Sequence, residues 1–145
     1  MKKICLLCLL PSLFACHKTP PVQQTVACSG ILENVHMTTT LYSKADTLYK
    51  QIITTSIPYA SMGISKSRAT NLALEHQKEY VTYPGIAFAY TIDSRQLTQN
   101  LSLDFTHVQA KDLKALGFLD KDNSTYSLSK AIQLYEQQGF DCKER

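Results

Sequence analysis

The sequence predicts an α+β domain: an antiparallel sheet of about five strands, in the order βββ-α-ββ-α, with two helices packed on one face. Two observations predict this class. Several stretches alternate between apolar and polar residues, which is the pattern of a strand with one buried face. Two other stretches repeat their apolar residues at the spacing of an amphipathic helix.

Three strands are predicted within residues 27–59, a region rich in Thr, Ile, Val, Leu and Tyr. Turn-forming residues divide it at Glu33 and Asn34 and again at 43–46. Between these breaks, alternate residues share one face: Val35, Met37, Thr39 and Leu41. We therefore expect a meander of three antiparallel strands.

The first long helix is predicted to begin after Ser65, whose hydroxyl is suited to an N-cap. Pro84 and Gly85 end this segment. Its buried positions follow at helical spacing: Ala69, Leu72, Ala73, His76 and Tyr80. A helix of about four turns is therefore expected.

Two further strands are predicted at Ile86–Ile92 and 97–105, with a turn around Asp93. In the second of these strands, alternate residues share one face: Leu97, Gln99, Leu101, Leu103 and Phe105. Residues 110–116 favour one short helix or a turn.

The last helix is predicted to begin at Ser127 and to end at Gly139, with Phe140 packed back over its last turn. Its buried stripe consists of Leu128, Ala131, Ile132 and Tyr135. Cys142 follows this cap directly, so a disulfide at Cys142 is expected to hold the helix against the first strand.

Residues 1–15 have the features of a signal peptide. Lys2 and Lys3 precede an apolar run at 4–10, which is too short to span a bilayer. The stretch from Leu13 to Cys16 resembles a bacterial lipobox, which predicts lipidation of Cys16 and attachment to a membrane. Ordinary cleavage after Ala15 is the alternative, but it requires a small residue where Leu13 stands.

Residues 16–25 include a proline pair and are expected to form a flexible tether, and residues 26–145 a single domain. Lipoproteins kept in the inner membrane commonly carry Asp after the lipidated cysteine, whereas this chain has His17. An outer-membrane location facing the periplasm is therefore expected. Removal of the signal lowers the formal net charge from +3 to +1, so the sequence predicts no nucleic-acid partner.

Five cysteines are present, but Cys5 and Cys8 leave with the signal and Cys16 becomes a thioether. In an oxidising compartment, the remaining Cys28 and Cys142 favour a disulfide, which would stabilise the fold by up to about 4–5 kcal/mol. A redox-active thiol and a metal site are the alternatives. Each would need neighbouring cysteines or histidines at a spacing that the sequence lacks.

Two motifs partly match known catalytic or metal-binding patterns. Ser127 and Lys130 match the Ser-x-x-Lys nucleophile pattern, but the partner motifs are absent and Ser127 is explained as a helix cap. Calcium-loop spacing links Asp120, Asp122 and Ser124, but the required downstream Gly and Glu are missing. The sequence predicts no catalytic residue, metal ion or cofactor.

The chain resembles the YehR-like bacterial lipoproteins, whose function is unknown. The segments that carry the likeness are IPYASMGISKS at 57–67, LSLDF at 101–105, DLKAL at 112–116 and QGF at 138–140. The resemblance extends over the whole predicted domain and implies no catalytic residues. The Cys28 and Cys142 pair is not part of the family pattern.

Two functions are compatible with these features. The first is a non-enzymatic envelope lipoprotein, which is either structural or binds a protein, peptide or small ligand. A binding role would require an exposed apolar or tyrosine-lined patch on the sheet, or a groove beside the first helix. The alternative is a small hydrolase acting on cell-wall material through Asp93, Asp104 or Ser127. It would require two of those groups within hydrogen-bonding distance in a cleft.

Overall fold

The computed structural model describes residues 20–117 and 126–145, which form a six-stranded antiparallel sheet with helices. The strands are β1 Gln23–Leu32, β2 Val35–Lys44, β3 Thr47–Pro58, β4 Ile86–Ile92, β5 Gln96–Asp104 and β6 Asp141–Glu144. The helices in the described ranges are α1 Tyr59–Met62, α2 Lys66–Tyr80, α3 Ala110–Ala115 and α4 Leu128–Gln137. The predicted α+β class is confirmed.

The predicted meander of three strands is formed by β1, β2 and β3. Glu33 and Asn34 both have positive φ, 49° and 67°, which matches the right-handed twist of two strands joined by a two-residue loop. Ala45 has φ 51° at the next turn. The turn-forming residues in the sequence therefore marked both hairpin loops.

A crossover containing α1 and α2 leads from β3 to β4, so that β5 pairs with β3 and β4 becomes an edge strand. Ser65 caps α2 as predicted, because its hydroxyl accepts a hydrogen bond from the Arg68 amide at 3.2 Å. The single-turn α1 was not predicted. It ends at Gly63, whose φ of 60° suits glycine.

The helices cover one face of the sheet, as predicted. Thr39 lies opposite Cys28 on one side and Ile53 on the other, and Ile53 lies opposite Leu101, so these side chains share a face. The buried residues on this face are Val26, Cys28, Thr39, Leu41, Ser43, Leu48, Ile53, Ile57, Ile86, Leu97, Gln99, Leu101 and Leu103. Ala69 and Ala73 of α2 pack at one end of this core, and Leu128 of α4 packs at the other.

The structure adds a sixth strand to the roughly five that were predicted. β6 pairs with β1 in antiparallel register, and Cys28 lies directly opposite Cys142. The sequence did not indicate a strand here because three of its four residues are charged, and an edge position rather than intrinsic propensity permits them. Cys142 consequently joins β6, rather than α4 itself, to β1.

The domain also begins earlier than expected. β1 starts at Gln23, so residues 23–25 of the predicted tether 16–25 are part of the sheet and pair with β2. At the other end of the chain, Gly139 follows α4 and Phe140 is buried against Tyr135, with ring centroids 5.3 Å apart. The predicted end of the last helix is therefore confirmed.

Candidate functional site

The three residues considered for hydrolysis each bond to other groups. Asp93 precedes the nine-residue strand β5 and Asp104 is its last residue, so the strand length of roughly 25 Å keeps them apart. Asp93 accepts hydrogen bonds from the amides of Arg95 and Gln96, which lowers the pKa of Asp93. Among the described residues, no hydrogen bond joins any two of Asp93, Asp104 and Ser127.

Asp104 belongs to a local cluster that the sequence analysis did not single out. The hydroxyl of Thr106 and the ring of His107 bond to its carboxylate and lower the pKa of Asp104 to about 2. Thr106 and Asp104 both contact the same ring nitrogen, Nδ1 of His107, at 2.9 Å. In a catalytic triad the hydroxyl and the carboxylate contact opposite ring nitrogens, so this arrangement closes a turn instead.

Ser127 is a helix cap, as predicted. Its hydroxyl accepts a hydrogen bond from the Lys130 amide at 3.3 Å and donates one to Asp46 at 2.6 Å. The hydroxyl of Ser127 and the amide of Ser129 together lower the pKa of Asp46. The Lys130 side chain is exposed, and only its backbone takes part in the cap. The role of Asp46 was not anticipated, since it comes from a loop 81 residues earlier.

Cys16 and the calcium-spaced residues Asp120, Asp122 and Ser124 lie outside the described residues. Within the described ranges, no group of three or more His, Cys, Asp and Glu side chains is arranged to hold a metal ion. No described helix is both long enough and apolar enough to cross a membrane.

Cys28 and Cys142 form a disulfide, with the sulfurs 2.03 Å and the Cα atoms 3.9 Å apart. Cys28 is fully buried in the cluster formed by Val26, Leu41 and Phe140. A disulfide in the packed core of the domain, with its neighbours apolar, has a structural role.

A cavity of about 190 Å³ lies between α2 and the helix-covered face of the sheet. It occupies the position, beside the first long helix, where a binding role would require a groove. Its lining residues come from α2 and four neighbouring strands: Met37, Ile53, Thr55, His76, Tyr80, Phe88, Gln99 and Leu101. The small Ala69 and Ala73 let one end of α2 approach the sheet, while larger residues toward its C-terminal end line the cavity.

A polar pair, the buried Gln99 and the half-buried His76, lies in the cavity wall. Nε2 of Gln99 is 3.1 Å from Nδ1 of His76, and Gln99 is only 8% exposed. Because a side-chain NH₂ group can only donate, Nδ1 of His76 accepts this hydrogen bond. The Gln99 carbonyl oxygen and Nε2 of His76 are the remaining hydrogen-bonding atoms of this pair.

Aromatic rings surround this pair. The ring centroid of His76 lies 5.8 Å from that of Tyr80 and 6.1 Å from that of Phe88, and the His76 and Phe88 rings are nearly perpendicular, at 86°. Tyr90 extends the cluster, with its centroid 6.2 Å from that of Phe88. Burial, together with the nearby Glu79 charge, raises the pKa of Tyr80, so its hydroxyl remains protonated at neutral pH.

The sequence indicated the parts of this cavity but not their assembly. His76 falls on the predicted inner stripe of α2 and Gln99 on the inner face of β5, where a glutamine among leucines marks a polar group facing the core. The two are 23 residues apart and meet only through the crossover that places α2 over β4 and β5. The signal that could have identified His76 and Gln99 was a polar residue among the apolar residues of one face, in the helix and in the strand respectively.

Comparison with known proteins shows the family and the fold. The family described as "Protein of unknown function (DUF1307)" matches residues 24–141. The NMR structure of the E. coli YehR protein is similar over 84% of this chain and 91% of that chain, with a TM-score of 0.73 and 19% identity. An NMR structure of a protein from Streptococcus pneumoniae TIGR4 is similar over 99% of this chain and 97% of that chain, with a TM-score of 0.59 and 19% identity.

A comparison with curated protein sequences found no match. At 19% identity the two solved structures establish a shared fold, and the family match extends over most of the chain. The YehR-like resemblance predicted from the sequence is confirmed, and the chain belongs to the DUF1307 family of proteins of unknown function.

Proposed function

We propose that this protein is a lipid-anchored binding module of the cell envelope, whose cavity beside α2 receives one apolar or aromatic group that carries a polar end. The observation that supports this proposal is the cavity itself, where apolar walls surround the His76 and Gln99 pair. Apolar lining with a few convergent polar groups is the usual composition of a small-ligand site.

The size of the cavity limits the ligand. Its volume of about 190 Å³ is close to the roughly 150 Å³ of an engineered apolar cavity that binds benzene. Sites for larger ligands usually span about 300–1,000 Å³. A single ring or a short branched chain therefore fits, either as a small molecule or as one side chain of a partner peptide.

The polar groups in the wall favour a ligand that is uncharged. Among the described residues, no Asp, Glu, Lys or Arg lines the cavity to balance an ion, and burying an unpaired charge is costly. The rings of Phe88 and Tyr80 both line the cavity, with their centroids 5.4 Å apart. A phenol-like group, with a flat ring and one hydroxyl, satisfies both features.

The anchor belongs to the same proposal. Acylation at Cys16 would hold the protein at the outer membrane, facing the periplasm, since several acyl chains together anchor stably. Because β1 begins at Gln23, the residues from 16 to 22 connect the lipid to the sheet. Seven residues span at most about 25 Å when extended, so the domain would stay close to the membrane surface.

Titration with p-cresol tests the cavity. We expect the backbone amide signals of His76, Phe88 and Gln99 to shift in NMR spectra, and toluene, which lacks the hydroxyl, to bind more weakly. Thr55→Met fills the cavity and should abolish the shifts. Ser56→Met is the matched control, because it adjoins Thr55 on β3 but lies on the opposite face of the sheet.

Two results would contradict the binding proposal: no shifts around the cavity at millimolar p-cresol, or equal binding by Thr55→Met and Ser56→Met.

The anchor is tested separately by expressing the full-length chain and its Cys16→Ser variant in a bacterial host. The unchanged chain should sediment with membranes and carry acyl mass on Cys16, whereas the variant should not. An unmodified Cys16 would refute the anchor without affecting the cavity.

A further inference from the structure

The two edges of the sheet differ in how they are protected. β4 forms one edge and has seven uncharged residues, IAFAYTI, without proline. It pairs with β5 in an uninterrupted register from Ile86 to Ile92, so no bulge bends it. β6 forms the other edge and has four residues, three of them charged. Natural sheets usually protect exposed edges with charges, proline, bulges or short strands, and β4 has none of these features.

The outward backbone groups of β4 can be assigned from its register. The Asp104 amide donates to the Gly85 carbonyl, and hydrogen-bonded pairs alternate along an antiparallel ladder. Ala87, Ala89 and Thr91 therefore direct their amides and carbonyls toward β5. The backbone groups of Phe88 and Tyr90 point away from the sheet, and no backbone hydrogen bond from a described segment reaches them.

We propose that two copies of this chain pair through their β4 strands to form a symmetric antiparallel dimer, independently of any ligand in the cavity. A twofold axis at Ala89 places Phe88 of one copy opposite Tyr90 of the other, and the outward amides and carbonyls of both then pair. This register joins all seven residues of each strand. The result is one continuous twelve-stranded sheet.

The side chains favour a second copy over a peptide ligand. A peptide added to a sheet edge gains specificity from pockets that hold its alternate side chains. On the uncovered face of β4 the side chains are the exposed Ala87, Ala89 and Thr91, which are too small to form such pockets. Two copies need none, because their uncharged strands place no like charges opposite each other and two alanines meet at the axis.

The dimer is closed and weak. The interface uses the same edge of both copies, and the remaining β6 edges carry Asp141, Lys143 and Glu144, so further strands do not add. Pairing along seven residues buries a small area, in the class below about 1,200 Å² that is typical of transient contacts. We therefore expect monomers and dimers in an equilibrium that depends on concentration.

Cysteine crosslinking of the full-length chain tests the contact. In an extract of cells that express it, mild oxidation of Ala89→Cys should give a reducible dimer, because the two Cβ atoms lie across the axis. Thr38→Cys is the control, since Thr38 lies on the same uncovered face but in the central strand β2. Equal crosslinking of both variants, or an Ala89→Cys adduct with a different protein, would overturn the proposal.

A charge swap tests the register. Two differently tagged copies should co-purify from a detergent extract when both are unchanged or both carry Ala89→Thr. Co-purification should fall at least tenfold when both carry Ala89→Lys or both carry Ala89→Glu, and it should return when one carries each. Ala89 is exposed, so these variants keep the fold. Undiminished co-purification of two Ala89→Lys copies, or no recovery in the mixed pair, would refute pairing about Ala89.

Discussion

Reduction of the Cys28–Cys142 disulfide is expected to lower the stability of the domain by about 3–5 kcal/mol. The two cysteines are 114 residues apart in sequence. A crosslink that closes a loop of roughly 100 residues contributes about 4.7 kcal/mol by restricting the unfolded chain, and residual structure in that chain reduces the effect. Since domains of this size have a total stability of about 5–15 kcal/mol, the loss is a large fraction.

The structure indicates that most of this loss arises in the unfolded state. After reduction, both sulfurs still fill the same space, with Cys28 in the packed core and Cys142 opposite it. β6 also keeps its pairing with β1, since four residue pairs and the bond from the Arg145 amide to the Thr25 carbonyl remain. The oxidised and reduced native states should therefore give nearly the same circular dichroism spectrum.

Urea unfolding with and without a phosphine reductant measures the effect. The midpoint should fall on reduction, and the slope of the transition should rise, because the uncrosslinked chain exposes more surface when it unfolds. Cys142→Ser is the control and should unfold at the reduced midpoint whether or not reductant is present. A midpoint that does not respond to reductant, or a Cys142→Ser variant that still responds, would refute the reasoning.

Three further predictions concern packing, backbone conformation and pH. Leu103→Ala should lower the free energy of unfolding in urea by about 2–5 kcal/mol, because Leu103 is 1% exposed. Leu134 is 52% exposed, so Leu134→Ala should lower it by less than about 1 kcal/mol. Similar losses would place Leu103 outside the core. Gly85→Ala should destabilise more than Gly117→Ala by about 1–3 kcal/mol. Both glycines have positive φ, but among the described residues only a Cβ at Gly85 would meet backbone atoms, the nearest at 2.6 Å; equal effects would exclude that steric conflict. The pKa of Asp104 is lowered to about 2, so its ionised form stabilises the fold above about pH 4, and this contribution is lost as the pH falls toward 2. Asp104→Asn should flatten the fall of the thermal midpoint across that interval, and an unchanged pH profile would show that the Asp104 cluster does not contribute.

Local patterns in the sequence predicted most of the elements. Ser65 and Ser127 were identified as helix caps because a hydroxyl before an amphipathic stretch satisfies a free helix amide, and both hydroxyls do so. Glu33 and Asn34 were identified as a turn for a similarly local reason. Helix capping also accounts for Ser127 in the Ser-x-x-Lys pattern, so that no catalytic role is needed. The bond from Ser127 to Asp46 could not be foreseen, because the two residues are distant in sequence.

The sequence by itself determined the class of the domain, the approximate positions of five strands and which residues share a face in two of them, because periodicity and capping depend on neighbouring residues. Only the tertiary structure decided that charged residues 141–144 form a strand, that Gln99 meets His76 beside a cavity, and that β4 is an edge. Each of these depends on which distant segment lies alongside. A strand at an edge draws its hydrogen bonds from its partner, and a cavity exists only where packed elements fail to meet.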